Sequence, residues 1–173
     1  MRFYELEALC ALGEQTYVTK EIKDYWGGML NLGATSFWEE YNPSKKGAEH
    51  YAMYGRDFGK SLCHAWGASP IYLLGKYYLG VKPTSPAYAT YLIEPQLGGL
   101  QWIDGKVPTP DGDVSVYCSA KEIKVTGAAG VGTLRFKSKA KPVCKQGDVR
   151  SVSAGLYELT VEKGKSYVVS YKL

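Results

Sequence analysis

The spacing of apolar residues changes once along this chain, and the change falls in VKPTSP, Val81 to Pro86. Before it, apolar side chains recur three and four positions apart. Phe3, Leu6, Leu9 and Cys10 run up to Gly13, and Val18, Ile22, Tyr25, Trp26, Met29 and Leu30 run up to Gly33. Such recurrence turns one face of a helix toward a core, and a glycine just past the last periodic residue is a stop signal. Ser69-Pro70 announces a third helix, with a serine cap and then proline at the first helical position, where its missing N–H costs nothing. That helix carries Ile71, Leu74, Tyr77 and Tyr78 and stops at Gly80. After the change, apolar residues alternate: Val114, Val116 and Cys118; Ile123 and Val125; Leu134 and Phe136. Tyr157, Leu159 and Val161 lead through Glu162-Lys163-Gly164-Lys165 into Tyr167, Val169 and Tyr171, which predicts a β-hairpin. Short strands separated by Gly, Pro and Asp turns, with no helices between them, predict an antiparallel β-sandwich. The fold class is therefore α+β, with a helical part over 1–82 and a β-sandwich over 83–173.

The helical part is out of balance. Its helices are apolar around much of their circumference, and three short helices cannot enclose that much surface. It reads as a slice of a larger helical domain. Faces bearing Phe3, Leu6, Trp26 and Leu30 are expected to be exposed, which predicts self-association or helix exchange through residues 1–35.

Composition excludes several classes of function. The net charge is +4 over 173 residues with no dense basic run, which argues against nucleic-acid binding. No stretch reaches the roughly 20 apolar residues that span a bilayer. Met1-Arg2 is followed at once by Glu5 and Glu7, so no signal peptide is read at this end, and the compartment stays unassigned. The four cysteines show no CxxC pair and no zinc spacing; free buried thiols are expected, with a Cys118–Cys144 bridge as the alternative. No metal or cofactor is expected. Tyrosine is over-represented, with 15 copies against 4 phenylalanines, and rings with polar tips suit clefts where one end stays wet.

Chemistry-bearing residues concentrate in two stretches, GATSFWEEYNPS (33–44) and SLCHAWGASP (61–70). Glu39 and Glu40 are adjacent, so their side chains do not face each other and do not form a catalytic pair. Two solvated loop glutamates are one reading. The other is that Trp38 and Phe37 partly desolvate one carboxylate and raise its pKa toward acid or base duty. His64 is either a core histidine or a donor to a ligand hydroxyl beside a stacking Trp66; Cys63 next to it has neither the placement of a thiol nucleophile nor a metal-ligand spacing. The polar, tyrosine-rich stretch between them is long for a helix connection, and long loops tend to be functional. Tyr51, Tyr54, Arg56 and Asp57 are candidates for its lining.

With these stretches goes a resemblance. MRFYELEALCALG, YWGGMLNLGATSFWEEYNP, SLCHAWGASPIYLLGKYYLGVKPTSP and IEPQLGGLQWIDGKVPTPDGDVSVY, in this order, resemble the C-terminal end of bacterial α-L-rhamnosidases of glycoside hydrolase family 78. The resemblance covers about residues 1–138; the remainder fits only as generic strands. It implies that the helices close an (α/α)6 barrel followed by a β-sandwich, and that the parent enzyme hydrolyses terminal α-L-rhamnosides with inversion. It implies further that Glu39, directly after the tryptophan of the motif, is the general base and that His64 contacts the sugar. The substrate-binding candidates are His64, Trp38 and Trp66. The implied partners are a rhamnose-containing glycoside and the N-terminal part of the enzyme that carries the general acid. A chain without that acid is expected to be inactive alone. A free-standing sugar-binding module, with Trp102, Tyr88, Tyr91 and Tyr117 as its platform, is the alternative.

Overall fold

A computed structural model describes residues 2–173. The chain divides into two compact units, one ending at Tyr72 and one running from Leu73 to Leu173.

The first unit holds α1 (Arg2–Ala11) and α2 (Gln15–Asn31), followed by a long irregular segment with short 3₁₀ turns at Gly47–Tyr51 and Ala65–Gly67. The periodic positions face inward as expected: Leu6 and Cys10 on α1, and Val18, Trp26 and Met29 on α2, are buried. At the end of α2, Gly33 takes φ +85°, a left-handed conformation that suits a residue without Cβ. The expected exposed faces are corrected in part. Leu6 and Trp26 are enclosed within this unit, so they cannot drive association, while Leu30 is exposed. Enclosure is possible with few helices because the irregular segment folds back onto α2. The indole of Trp26 donates to the carbonyl of Gly67 at 2.7 Å, and the Tyr25 hydroxyl accepts from the amide of Tyr41 at 3.0 Å.

The third helix is present but differs from its expected face. Ser69–Leu73 (α3) is α-helical, and Leu74–Tyr78 continues in π geometry, with the Leu79 amide reaching the Leu74 carbonyl at 2.8 Å. The wider turn rotates the buried stripe. Leu73, Tyr77 and Tyr78 are buried, whereas Ile71 is exposed. Gly80 ends the helix as expected, at φ +74°.

The second unit is a sandwich-like pair of five-stranded sheets. The strands are β1 (Val81–Pro83), β2 (Thr90–Ile93), β3 (Trp102–Thr109), β4 (Gly112–Ser119), β5 (Glu122–Thr126), β6 (Val131–Lys137), β7 (Val143–Cys144), β8 (Arg150–Ser153), β9 (Leu156–Glu162) and β10 (Ser166–Ser170). One sheet has the order β1-β2-β6-β9-β8 and the other β3-β4-β5-β10-β7. Pairing is antiparallel except between β2 and β6, which run parallel. The alternating residues form the core: Ile93, Leu134, Leu159 and Val161 from one sheet, and Val114, Val116, Ile123, Val125 and Val169 from the other. Each such side chain contributes about 1.5–3 kcal/mol by leaving water.

The expected hairpin of β9 and β10 is not formed. β9 pairs with β6 and β8, while β10 pairs with β5 and β7 in the other sheet. The Glu162–Lys165 turn crosses between the sheets instead, anchored by the Gly164 amide on the Gly127 carbonyl at 2.7 Å. Both strands still bury one apolar face, so their patterning is indifferent to which sheet each one joins. The four cysteines are free thiols, with Cys10 and Cys118 buried and Cys63 exposed. No described helix is long and apolar enough to cross a membrane.

Candidate active site

The stretches that carry Glu39 and His64 lie side by side. The Glu39 amide donates to the Ser61 carbonyl at 3.0 Å, and the His64 amide donates to the Phe37 carbonyl at 2.8 Å. The Ser36 hydroxyl adds a bond to the Leu62 carbonyl. In a paired extended segment, neighbouring side chains point to opposite sides. Trp38 accordingly turns inward, where it is 4% exposed and packs beside the ring of Tyr51. Glu39 turns the other way, into a cavity. Gly67 allows this layering, since a Cβ there would lie 2.4 Å from the Trp38 carbonyl oxygen.

The cavity measures about 730 Å³ and is lined by Arg2, Tyr25, Glu39, Glu40, His64 and Trp66, among others. Glu39 is half-buried, its side chain 15% exposed, and His64 Nδ1 lies 4.0 Å from its Oε2. Its Oε1 accepts from the hydroxyl of Tyr54, and its Oε2 accepts from the Ser61 amide at 3.2 Å. Trp66, 60% exposed, forms part of the wall and also borders a smaller apolar cavity with Phe3, Tyr4 and Tyr72.

Burial beside aromatic residues was the reason to expect a raised Glu39 pKa, and the structure has the opposite direction. The Tyr54 hydroxyl is the main reason that the Glu39 carboxyl is held below the usual glutamate range. The Ser61 amide and the nearby His64 and Lys60 act in the same direction, and together they outweigh the opposing effect of burial. Donors to the charged form favour ionisation. The same contact pushes the Tyr54 phenol above its ordinary value.

Glu40 is used differently. Its Oε2 lies 3.4 Å from both Lys45 Nζ and Lys60 Nζ, and the Lys60 side chain is fully buried. A buried ammonium needs a counter-charge, and Glu40 supplies it. The pairing ties Lys45 and Lys60, from different parts of the intervening segment, to Glu40. The other histidine, His50, is buried with its ring stacked on Tyr41, and its Nδ1 has no hydrogen-bond partner among the described residues.

Among the sequence candidates, the structure brings Glu39, His64 and Trp66 to one cavity and places Trp38 beneath it. Of the four loop candidates, Tyr54 reaches Glu39, Tyr51 packs on Trp38 and Phe58, and Arg56 and Asp57 are exposed. The roles of Lys60, Arg2 and the Ser61 amide were not foreseen. Lys60 had no local signal, and a backbone donor carries no residue code. Among the described residues, no group of three His, Cys, Asp or Glu side chains is placed to hold a metal ion.

Comparison with known proteins gives consistent results. Residues 80–127 match the model of the bacterial α-L-rhamnosidase C-terminal domain. Over 99 residues the chain is 36% identical to an α-L-rhamnosidase of Alteromonas sp. (strain LOR); the match covers 56% of this chain and 10% of that protein. The chain thus spans about a tenth of the length of this relative. Among solved structures, the GH78 family rhamnosidase of Bacillus sp. GL1 is 32% identical with a TM-score of 0.54, over 72% of this chain and 12% of that one. The α-L-rhamnosidase of Streptomyces avermitilis, solved in complex with L-rhamnose, is 16% identical with a TM-score of 0.66, over 85% of this chain and 15% of that one.

Proposed function

We propose, for a chain that is a C-terminal portion of an α-L-rhamnosidase, that it supplies the general base and one wall of the pocket in the inverting hydrolysis of terminal α-L-rhamnosides. Its first unit would then complete an (α/α)6 barrel whose remaining helices come from the N-terminal part of the enzyme. The observation that carries the reading is Glu39: an ionised carboxylate, half-buried in a cavity, fixed by two donors and close to a histidine. In the reaction, a water oxygen bonds to the anomeric carbon from the face opposite the leaving group and gives its proton to Glu39. The glycosidic C–O bond breaks, and the departing oxygen takes a proton from a second carboxyl about 6.5–9.5 Å away. His64 and Trp66 would hold the sugar, by a hydrogen bond to a hydroxyl and by contact with a C–H face.

Glu40 is unsuited to the acid role. It is adjacent to Glu39, so the two carboxyls do not face each other across a sugar, and its Oε2 is taken up by Lys45 and Lys60. Among the described residues that line the cavity, the carboxyls are Glu39 and Glu40. The acid is therefore assigned to the partner segment, and the chain alone is inactive.

The test uses an aryl α-L-rhamnoside, first with the chain alone and then with the N-terminal remainder of an α-L-rhamnosidase added. No turnover is expected alone. Turnover on complementation should release the inverted anomer and fall about 10²–10⁴-fold with Glu39→Gln. Turnover by the chain alone would overturn the incomplete-site reading, and a complemented Glu39→Gln protein at full rate would overturn the base assignment. A second reading places sugar binding on the β unit, where Trp102 is exposed and Tyr117 lines a shallow cavity with Asp104 and Lys124. Tyr91, another member of that expected platform, is buried in the core.

A further inference from the structure

Tyr54 sits in a conformation that its own residue type disfavours. Met53 and Arg56 exchange both backbone hydrogen bonds at 3.0 Å, closing a two-residue turn in which Tyr54 has φ +54° and Gly55 φ +74°. Positive φ at both central positions is the type I′ turn, whose first central residue is ordinarily Asn, Asp or Gly. A tyrosine there is strained, and such strain persists where the surroundings impose it. Burial does not impose it, because Tyr54 is 75% exposed. The turn itself is fixed from behind: the Gly59 amide donates to the Arg56 carbonyl at 3.3 Å, and a Cβ on Gly59 would lie 2.3 Å from the Met53 carbonyl oxygen. The outcome of this arrangement is a phenol delivered to Glu39 Oε1.

We propose that Tyr54 is a positioning residue: the strained turn holds its hydroxyl on Glu39 Oε1 and fixes the plane of the carboxylate for work on a water. The proposal rests on the reading of Glu39 as the general base. Each carboxylate oxygen accepts more than one donor, so the Tyr54 hydroxyl on one oxygen and the Ser61 amide on the other leave room for a water. A carboxylate held at both oxygens cannot turn about its last side-chain bond, so its free lone pairs keep one direction. Other charged groups share the surroundings. His64 and Lys60 follow the loop, Arg2 on α1 lines the same cavity, and the neighbouring Glu40 is tied to Lys45 and Lys60. None of them donates a hydrogen bond to Oε1 in the structure, and that contact belongs to Tyr54.

The test is a carboxyl ¹³C NMR titration of Glu39 in the full chain, assigned by Glu39→Gln, with Tyr54→Phe and Tyr54→Asn. Tyr54→Phe keeps the ring and removes only the hydroxyl. Tyr54→Asn suits the turn and removes the phenol, so it serves if the phenylalanine variant folds poorly. The Glu39 midpoint should rise in both. By reciprocity of the coupling, the Tyr54 phenol should titrate lower in Glu39→Gln than in the unaltered chain. A role confined to turn structure would leave the Glu39 midpoint unmoved in Tyr54→Phe, and that result overturns the proposal. The readout needs no turnover. An unchanged midpoint therefore defeats the role of Tyr54 while the base assignment stands. Full activity of complemented Glu39→Gln defeats the base assignment instead, and with it the catalytic meaning of the contact.

Discussion

The two units use their residues for different ends. In the β unit, the buried carboxylate is matched: Glu158 meets Arg135 at 2.7 Å and Arg150 at 2.6 Å, and the Tyr167 hydroxyl accepts from the Glu162 amide at 3.2 Å. The buried Tyr91 hydroxyl, by contrast, has no hydrogen-bond partner among the described residues. Its apolar positions close on one another across two sheets. The helical unit leaves Leu12, Leu30, Phe58 and Trp66 exposed and keeps a buried lysine against a single carboxylate, while a tyrosine at positive φ occurs in both units, at Tyr54 and at Tyr88. A region organised for its own closure leaves few rings exposed. A region organised to present Glu39, His64 and Trp66 tolerates exposed rings and a thinly paired buried lysine, which is the usual place for a sequence to break local rules.

The comparison is sharpened most by Leu134→Ala. Leu134 is wholly buried in the β unit, and its truncation should cost about 2–5 kcal/mol in denaturant unfolding of that unit. A loss below about 1 kcal/mol would mean that the two-sheet core is looser than described. Gly67→Ala is the matching lesion in the helical unit. The added methyl meets the Trp38 carbonyl, and a loss of about 1–3 kcal/mol is expected, read from the near-ultraviolet signal of the tryptophans. Trp26→Phe removes the indole bond to the Gly67 carbonyl and should cost about 0.5–1.5 kcal/mol in the same assay.

A pH scan separates the units further. The two arginines hold the Glu158 carboxyl below the usual glutamate range. A carboxyl depressed by folding contributes stability that is complete above its unfolded-state pKa and is lost as pH falls through the folded-state value. The midpoint temperature of the β unit should therefore decline on acidification through and below the ordinary glutamate range. Glu158→Gln should flatten that decline, and an unchanged slope would remove Glu158 from the account. The smallest effect is assigned to Leu30→Ser, within about 0.5 kcal/mol, because that side chain is already 67% exposed.

Legibility in the sequence followed the physics of each signal. Val114, Val116, Ile123 and Val125 declared their strands because alternation is a local consequence of the pleat. The same signal could not assign β9 and β10 to different sheets, since both bury one face whichever partner they take. Leu6, Cys10, Val18 and Met29 declared their helix faces, but the π turn after Leu73 shifted the stripe beyond what a 3.6-residue period predicts. In the site, Glu39 and His64 were legible through the stretches around them. The direction of the Glu39 shift was not, because it depends on a hydroxyl fifteen residues away and on a backbone amide. Lys60 was silent for the same reason: its burial is a product of the folded loop.

The most direct measurement is an amide and indole ¹H–¹⁵N NMR titration of the whole chain with L-rhamnose. The account predicts saturable shifts at Glu39, His64 and the Trp66 indole, diminished by His64→Ala, with the β unit unmoved. Saturable shifts confined to Trp102, Tyr117 and their neighbours would contradict it and transfer sugar binding to the β unit.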